Sequence, residues 1–224
     1  MLKGIVFWIV MVAVFVFLSG FILISACGYK VNWLNFSVRP TALILLRGDE
    51  KNVEIYIDNK KVGDDLPYRI GFVEVGWKEL KIKKNGYHDW KKSFYAEASE
   101  AYEFRDIVFF KKDTSPQVVK DMSLKKSLED VVLPMNINAV NGEMTANDSL
   151  VTRFFTDPVS YQWWDGKHIL FQIENKIRVI DLSGQNDIEL VSLTGAEPSV
   201  FKVINNGKSL LYTDGNRVKQ VEIR

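Results

Sequence analysis

The alternation of apolar and polar positions divides the chain before any motif is considered. Ile5 to Ala26 is an apolar run of 22 residues without a charged side chain. At a helical rise of about 1.5 Å per residue it reaches roughly 33 Å, enough to cross a hydrocarbon core about 30 Å thick. The pattern predicts one transmembrane helix, with Trp8 near its start, where aromatic residues favour the membrane interface. Beyond it the runs become short. Val53, Ile55 and Ile57 alternate with Glu54, Tyr56 and Asp58, the period of two expected of a half-buried strand. Thr41 to Leu46 reads as an apolar strand, Trp77, Leu80 and Ile82 mark another, and Phe104 to Phe110 closes the stretch. Asp58-Asn59 tolerates positive φ and turns the chain back into Lys60-Lys61-Val62, and Asn85-Gly86 marks a further turn. About seven short strands over residues 40–112 predict a small antiparallel β-sandwich.

From Asp113 the pattern weakens. Val118, Val119, Met122, Leu124 and Leu128 give an imperfect helical spacing, and Asn136, Asn138, Asn141-Gly142 and Asn147-Asp148 are turn material, so residues 113–150 read as a linker with one short helix. Residues 151–224 contain an internal repeat. Trp163, Asp165-Gly166-Lys167, Leu170-Phe171, Asn175-Lys176-Ile177 and Ile180-Asp181-Leu182 recur 41 residues later as Ile204, Asn206-Gly207-Lys208, Leu211-Tyr212, Asn216-Arg217-Val218 and Val221-Glu222-Ile223. A period of about 40–45 residues is that of a propeller blade with four strands. The phrase resembles TolB-like and WD-type propeller repeats, the former more. Closed propellers have about four to eight blades. Only two copies are legible, with at most part of another in Ser149 to Thr156, so the reading is an incomplete propeller of two blades. Trp163, Leu170, Phe171, Leu211 and Tyr212 are its expected shared core, and two alternatives stay open: the chain is a fragment of a longer design, or its blades associate with another protein chain.

The 40–112 stretch also resembles a family. Val53 to Gly63, Pro67, Gly76-Trp77-Lys78-Glu79-Leu80-Lys81-Ile82 and Lys84-Asn85-Gly86-Tyr87-His88-Asp89-Trp90 look like the PEGA domain, a bacterial extracytoplasmic β-module. Two turns depart from it. The Pro-Glu-Gly-Ala element is replaced by Gly48-Asp49-Glu50-Lys51-Asn52, and the Gly-x-Thr-Pro turn is lengthened to Gly63-Asp64-Asp65-Leu66-Pro67.

Three readings of the amino-terminal segment, residues 1–28, stay open. One is a retained transmembrane anchor, since the run exceeds the apolar core of about 7–15 residues typical of secretory signals. Another is a lipoprotein signal: Ile24-Ser25-Ala26-Cys27 resembles the bacterial lipobox, with lipid on Cys27. The third is an ordinary signal cut near Ala26. Residues 29–39 read as a juxtamembrane linker. Lys3 precedes the helix while Lys30 and Arg39 follow it, which speaks weakly against export, but long domains translocate largely regardless of charge. The expectation is a single-pass chain with an extracytoplasmic C-terminal part.

Composition narrows the function classes. Of 29 basic residues only Lys3 lies in residues 1–28, which hold no acid, leaving 28 basic against 28 acidic residues. A balanced soluble part argues against nucleic-acid binding, which needs a basic face. The single Cys excludes disulfides, leaving apolar packing to hold the fold. His88 and His168 stand apart without ligand spacing, and no phosphate loop, nucleophile elbow or zinc motif appears. No cofactor, metal or catalytic residue is expected. Tyr87 and Trp90 invite a ligand reading, because exposed aromatics stack on sugars, against the alternative that they cover the end of the sandwich core. Asp64-Asp65 invites a cation reading, against a solvated turn. The overall expectation is an all-β soluble part behind one N-terminal transmembrane helix, a non-enzymatic protein binding protein or cell-envelope polymer. A structural spacer without its own ligand is the alternative.

Overall fold

The computed structural model describes residues 2–26, 28–32, 37–128 and 136–224. The apolar run forms α1 (Leu2–Ala26). Its stretch Gly4–Ala26 is long and apolar enough to cross a membrane, and none of it is buried against protein. Beyond α1 the described chain is mostly β and divides into two compact units: residues 1–80 with 93–107, and residues 81–92 with 108–224.

Eight strands follow α1: β1 (Tyr29–Asn32), β2 (Ser37–Leu46), β3 (Val53–Ile57), β4 (Lys60–Asp64), β5 (Tyr68–Glu74), β6 (Gly76–Lys84), β7 (Trp90–Ala96) and β8 (Ala101–Phe104). In one sheet β2 pairs antiparallel with β1 and β5 and parallel with β8. The other sheet has the order β4-β3-β6-β7. Alternation decides which side chains leave water: Ala42, Ile44 and Leu46 of β2, Val53 and Ile55 of β3, and Leu80 and Ile82 of β6 are all buried. Trp77 does not join Leu80 and Ile82. Three residues from Leu80 it points across the pleat, and it is 73% exposed. Asp58 (φ +50°) and Asn59 (φ +62°) form the expected tight turn, closing Ile57 on Lys60. Within residues 29–39, read from sequence as a linker, the described residues pair as strands, Lys30 with Arg39 and Asn32 with Ser37, too short for their alternation to show. The two turns that depart from the PEGA pattern are stitched to each other. Leu66 N–H donates to Glu50 O at 2.9 Å, Lys51 Nζ to Leu66 O at 2.9 Å, and Asn52 N–H to Asp65 Oδ1 at 2.6 Å.

In the second unit, residues 113–150 hold more than the expected short helix, α2 (Met122–Lys126). Before it lies β9 (Gln117–Val118); after it come β10 (Ile137–Val140), β11 (Glu143–Ala146) and β12 (Ser149–Arg153), a three-stranded antiparallel meander. Its turns are Asn141 (φ +55°)-Gly142 (φ +77°) and Asn147 (φ +49°)-Asp148 (φ +62°), left-handed pairs that fit the twist of a hairpin. Gly142 is required there, since a Cβ would lie 2.5 Å from Phe154 O.

The 41-residue repeat is borne out as strands. β13 (Ser160–Trp163), β14 (His168–Ile173) and β15 (Lys176–Asp181) recur as β17 (Phe201–Ile204), β18 (Ser209–Asp214) and β19 (Arg217–Glu222). Pairing His168 with Asp181 has its counterpart in Ser209 with Glu222. The first copy takes β16 (Ile188–Ser192) as its fourth strand, and the second takes β9 from upstream, with Lys219 opposite Val118. Among the described residues these sheets do not close into a ring.

The expected shared core of the repeats separates into layers. Ile169, Phe171 and Ile180 pack with Ile137, Met144 and Val151 of the meander, with Trp163 against them. Leu170, Ile177 and Val179 face the opposite way and meet Leu210, Tyr212 and Val221. Leu211, between Leu210 and Tyr212, points beyond both, to Val119 and Leu128 with Leu124 and Val218. A central strand buried on both faces alternates between two neighbouring layers, so adjacent apolar residues cannot share one core. The order is meander, first repeat, second repeat, then the α2 segment as a cover.

Candidate functional site

The residues nominated by sequence are not gathered at one site. Trp90 is 4% exposed and offers no open ring face. Tyr87 is half-buried, edge-on to Phe109 at 6.4 Å, with Lys84 Nζ 4.6 Å above its ring. Cys27 lies outside the described residues. Asp64 pairs with Lys61 at 2.8 Å, and Asp65 accepts the Asn52 amide, so both carboxylates serve their turn. No group of three His, Cys, Asp or Glu among the described residues could hold a metal ion. Burial, then the charge of Lys112, holds His88 below its ordinary pKa of 6.5. His168 is buried, and its Nδ1 lies 2.9 Å from both oxygens of Asp165. Burial opposes ionisation of Asp165, but His168 and the amides of residues 167 and 168 outweigh it and keep its pKa low.

Two polar knots in the second unit escaped sequence reasoning. Asp181 Oδ1 accepts from Ser183 N–H (3.0 Å), Ser183 Oγ–H (2.5 Å) and Gln185 N–H (3.0 Å); Oδ2 accepts from Asn186 Nδ2 (3.0 Å) and Lys92 Nζ (3.1 Å). Asn186 in turn accepts from Lys91 N–H at 2.7 Å and donates to Lys91 O at 2.9 Å, imitating a strand partner. The 81–92 hairpin is thereby fastened to the 181–186 turn. Asp214 accepts from Thr194 N–H (2.8 Å), Thr194 Oγ1 (2.5 Å) and Lys219 Nζ (2.6 Å). Burial raises its pKa, yet these donors overcome that and bring it to about 2. Carboxylates engaged in this way hold their turns in place.

A surface remains. The second-repeat sheet is covered on its outer side by Val119, Leu124 and Leu128, whereas the meander at the other end of the stack has no such cover among the described residues. Its inward positions Ile137, Met144, Ala146 and Val151 are buried, and the alternate positions include Val140 (61% exposed) and Leu150 (44%). Phe155, just past β12, is fully exposed. Val140 lies on β10 and Leu150 on β12, with Glu143 and Thr145 of β11 between them in register, and solvent-facing apolar residues on one sheet are a feature of interaction sites. A groove of about 490 Å³ runs beside β9, lined by polar and charged residues including Lys111, Asp113, Gln117, Lys120, Asp121 and Glu222, with no aromatic ring in its wall.

No curated protein matches the chain. Among solved structures, a quinonprotein alcohol dehydrogenase-like protein from Bacteroides thetaiotaomicron is similar at 12% identity and a TM-score of 0.18. That match covers 83% of this chain and 54% of the other, and a likeness so slight carries no argument about fold or activity. Residues 42–108 match the PEGA domain model, as the motifs at Val53–Gly63 and Lys84–Trp90 led one to expect. A PEGA domain suggests an extracellular or periplasmic, non-catalytic binding or scaffold role, and that is the family this part of the chain resembles.

Proposed function

We propose that the chain is a membrane-anchored, extracytoplasmic, non-enzymatic protein whose C-terminal stack binds another protein chain. In this reading the PEGA-like part is a small β-sandwich, and the two four-stranded sheets are propeller-like blades, a view supported by the recurrence of three strands at one offset of 41 residues. Either a retained α1 or a lipid on Cys27 does the anchoring, and both hold residue 29 at the membrane. The observation that carries the reading is the asymmetry of the stack: α2 and its neighbours cover one end, and Val140, Leu150 and Phe155 stand bare at the other. A cell-envelope polymer is less well served, because the polar groove lacks the aromatic platforms on which sugars stack.

The experiment is retention of envelope proteins by the immobilised full chain and by a Val140→Glu, Leu150→Glu variant. Both positions are exposed, so the variant should fold normally. Loss of a discrete retained protein in the variant is expected; identical retention by both would remove the bare face from the account. A spacer without its own ligand would instead tolerate replacement of residues 137–224 by an unrelated domain.

A further inference from the structure

The first unit contains a backbone irregularity at an aromatic residue. In the pairing of β2 with β5, Ala42 faces Val73 and Ile44 faces Ile70, so Gly71 and Phe72 both bulge out opposite Leu43. Phe72 is thereby held at φ +56° and left 50% exposed. A bulky side chain in the left-handed region is uncommon and costs conformational energy. Here the strained residue leaves half of its surface in solvent. Irregularities of this kind re-aim side chains for a purpose.

The surroundings name the purpose. A cavity of about 420 Å³ is lined jointly by Phe72, Gly71 and Arg69 and by Ser25, Ala26 and Gly28 at the carboxyl end of α1. The apolar span ends at Ala26, so this is the level at which a spanning helix leaves hydrocarbon for the headgroup layer. The adjoining strands are cationic. Lys30 and Arg39 are direct cross-strand partners, an unfavourable like-charge pair, and Arg69 is the partner of Leu45 on the same sheet. All three are exposed, and none has an ion-pair partner among the described residues. Glu100, which also lines the cavity, offsets part of this charge.

We infer that Phe72 is a membrane-interface contact: the bulge presents its ring to the acyl–headgroup boundary beside α1, and Lys30, Arg39 and Arg69 meet anionic phospholipid headgroups around it. Apolar burial and cationic contacts add in such interfacial binding. The inference rests on reading α1 as membrane-embedded. It extends that reading by fixing which face of the first unit lies on the lipid.

The test places an environment-sensitive fluorophore on Gly71→Cys in the full chain, in a Cys27→Ser background that removes the single native cysteine. A Cβ at Gly71 meets nothing within 4 Å, so the label is accommodated and Phe72 stays intact. Gly20→Cys, also open, reports the α1 span, and Lys60→Cys on the exposed β3–β4 hairpin serves as a water-facing control. The three proteins are reconstituted into vesicles of zwitterionic lipid, with and without phosphatidylglycerol, carrying a headgroup-depth quencher. Labels at 20 and 71 should be shielded from an aqueous quencher, and the label at 71 should lose emission to the headgroup quencher, more so with the anionic lipid. The label at 60 should respond only to the aqueous quencher. Phe72→Gly, which relieves the backbone strain and so should fold, is expected to return the label at 71 towards water. A water-exposed label at 71 beside a shielded label at 20 overturns the inference while leaving the anchor intact. A water-exposed label at 20 overturns the anchor reading and the inference with it. An unchanged label at 71 in the Phe72→Gly variant shows that the ring has no part in the contact.

Discussion

Asp181 allows the most detailed prediction. Replacement by Ala removes the acceptor for five donors, four within the 181–186 turn (two on Ser183, one each on Gln185 and Asn186) and one on Lys92. Removing one partner of a buried ion pair costs about 3–5 kcal/mol. Lys92 is 20% exposed and retains Ser183 Oγ, so water and a neighbour soften the loss and the lower end applies, about 3 kcal/mol. For a chain near this length, roughly 2–4 °C per kcal/mol gives a fall in Tm of about 6–12 °C at neutral pH. The assay is thermal unfolding of the full chain in detergent, followed by far-ultraviolet circular dichroism. Burial raises the pKa of Asp181, but the Ser183, Asn186 and Lys92 contacts outweigh it and hold the carboxyl below 3.8. Its contribution is therefore present above the unfolded value and lost as pH falls through the lower folded value, so the gap between wild type and Asp181→Ala should close on acidification below about pH 4. A Tm change under about 2 °C at neutral pH, or a gap that widens in acid, would refute the reasoning.

Other predictions follow from single features. The Tyr212 hydroxyl is buried without a hydrogen-bond partner among the described residues, and its burial, then Asp214, raises its pKa to about 12; Tyr212→Phe should leave stability unchanged or raise it by about 1 kcal/mol in denaturant unfolding. Asp214→Asn should destabilise at neutral pH and match wild type towards pH 2, because the folded carboxyl titrates near 2 against 3.8 unfolded. Leu124→Asp with Leu128→Asp should uncover Leu211 and raise binding of a hydrophobic dye, with no such rise for Met122→Asp, whose side chain is 74% exposed. Mass spectrometry of the membrane-extracted protein separates the anchors: lipid on an amino-terminal Cys27 marks the lipoprotein, and retained Met1 marks the intact helix.

What the sequence disclosed depended on whether the signal was local. The α1 run, the Asp58-Asn59 turn and the 41-residue repeat were legible because each is a periodicity or a turn pair within a short window. Asn141-Gly142 and Asn147-Asp148 were equally local, yet between strands of only four or five residues they read as loop, and the meander was missed. The pairing of β9 with β19 joins residues about a hundred positions apart, and a two-residue strand has no pattern to find. Likewise nothing in Lys91-Lys92 announces Asn186 and Asp181. The site suffered from the same limit: Tyr87 and Trp90 stood out as aromatics, but Trp90 opens β7 with its side chain buried, while the exposure of Val140, Leu150 and Phe155 shows only once the layers are stacked.

Site-specific photocrosslinking in intact cells tests the central claim most directly. A photoreactive phenylalanine analogue at Phe155, whose side chain touches solvent on all sides, is compared with the same group at exposed Lys167 and at Lys60. The account predicts one discrete protein adduct from position 155, on the extracytoplasmic side, absent at the two controls and abolished by Val140→Glu with Leu150→Glu. No protein adduct at 155, or the same adducts at all three positions, would contradict it.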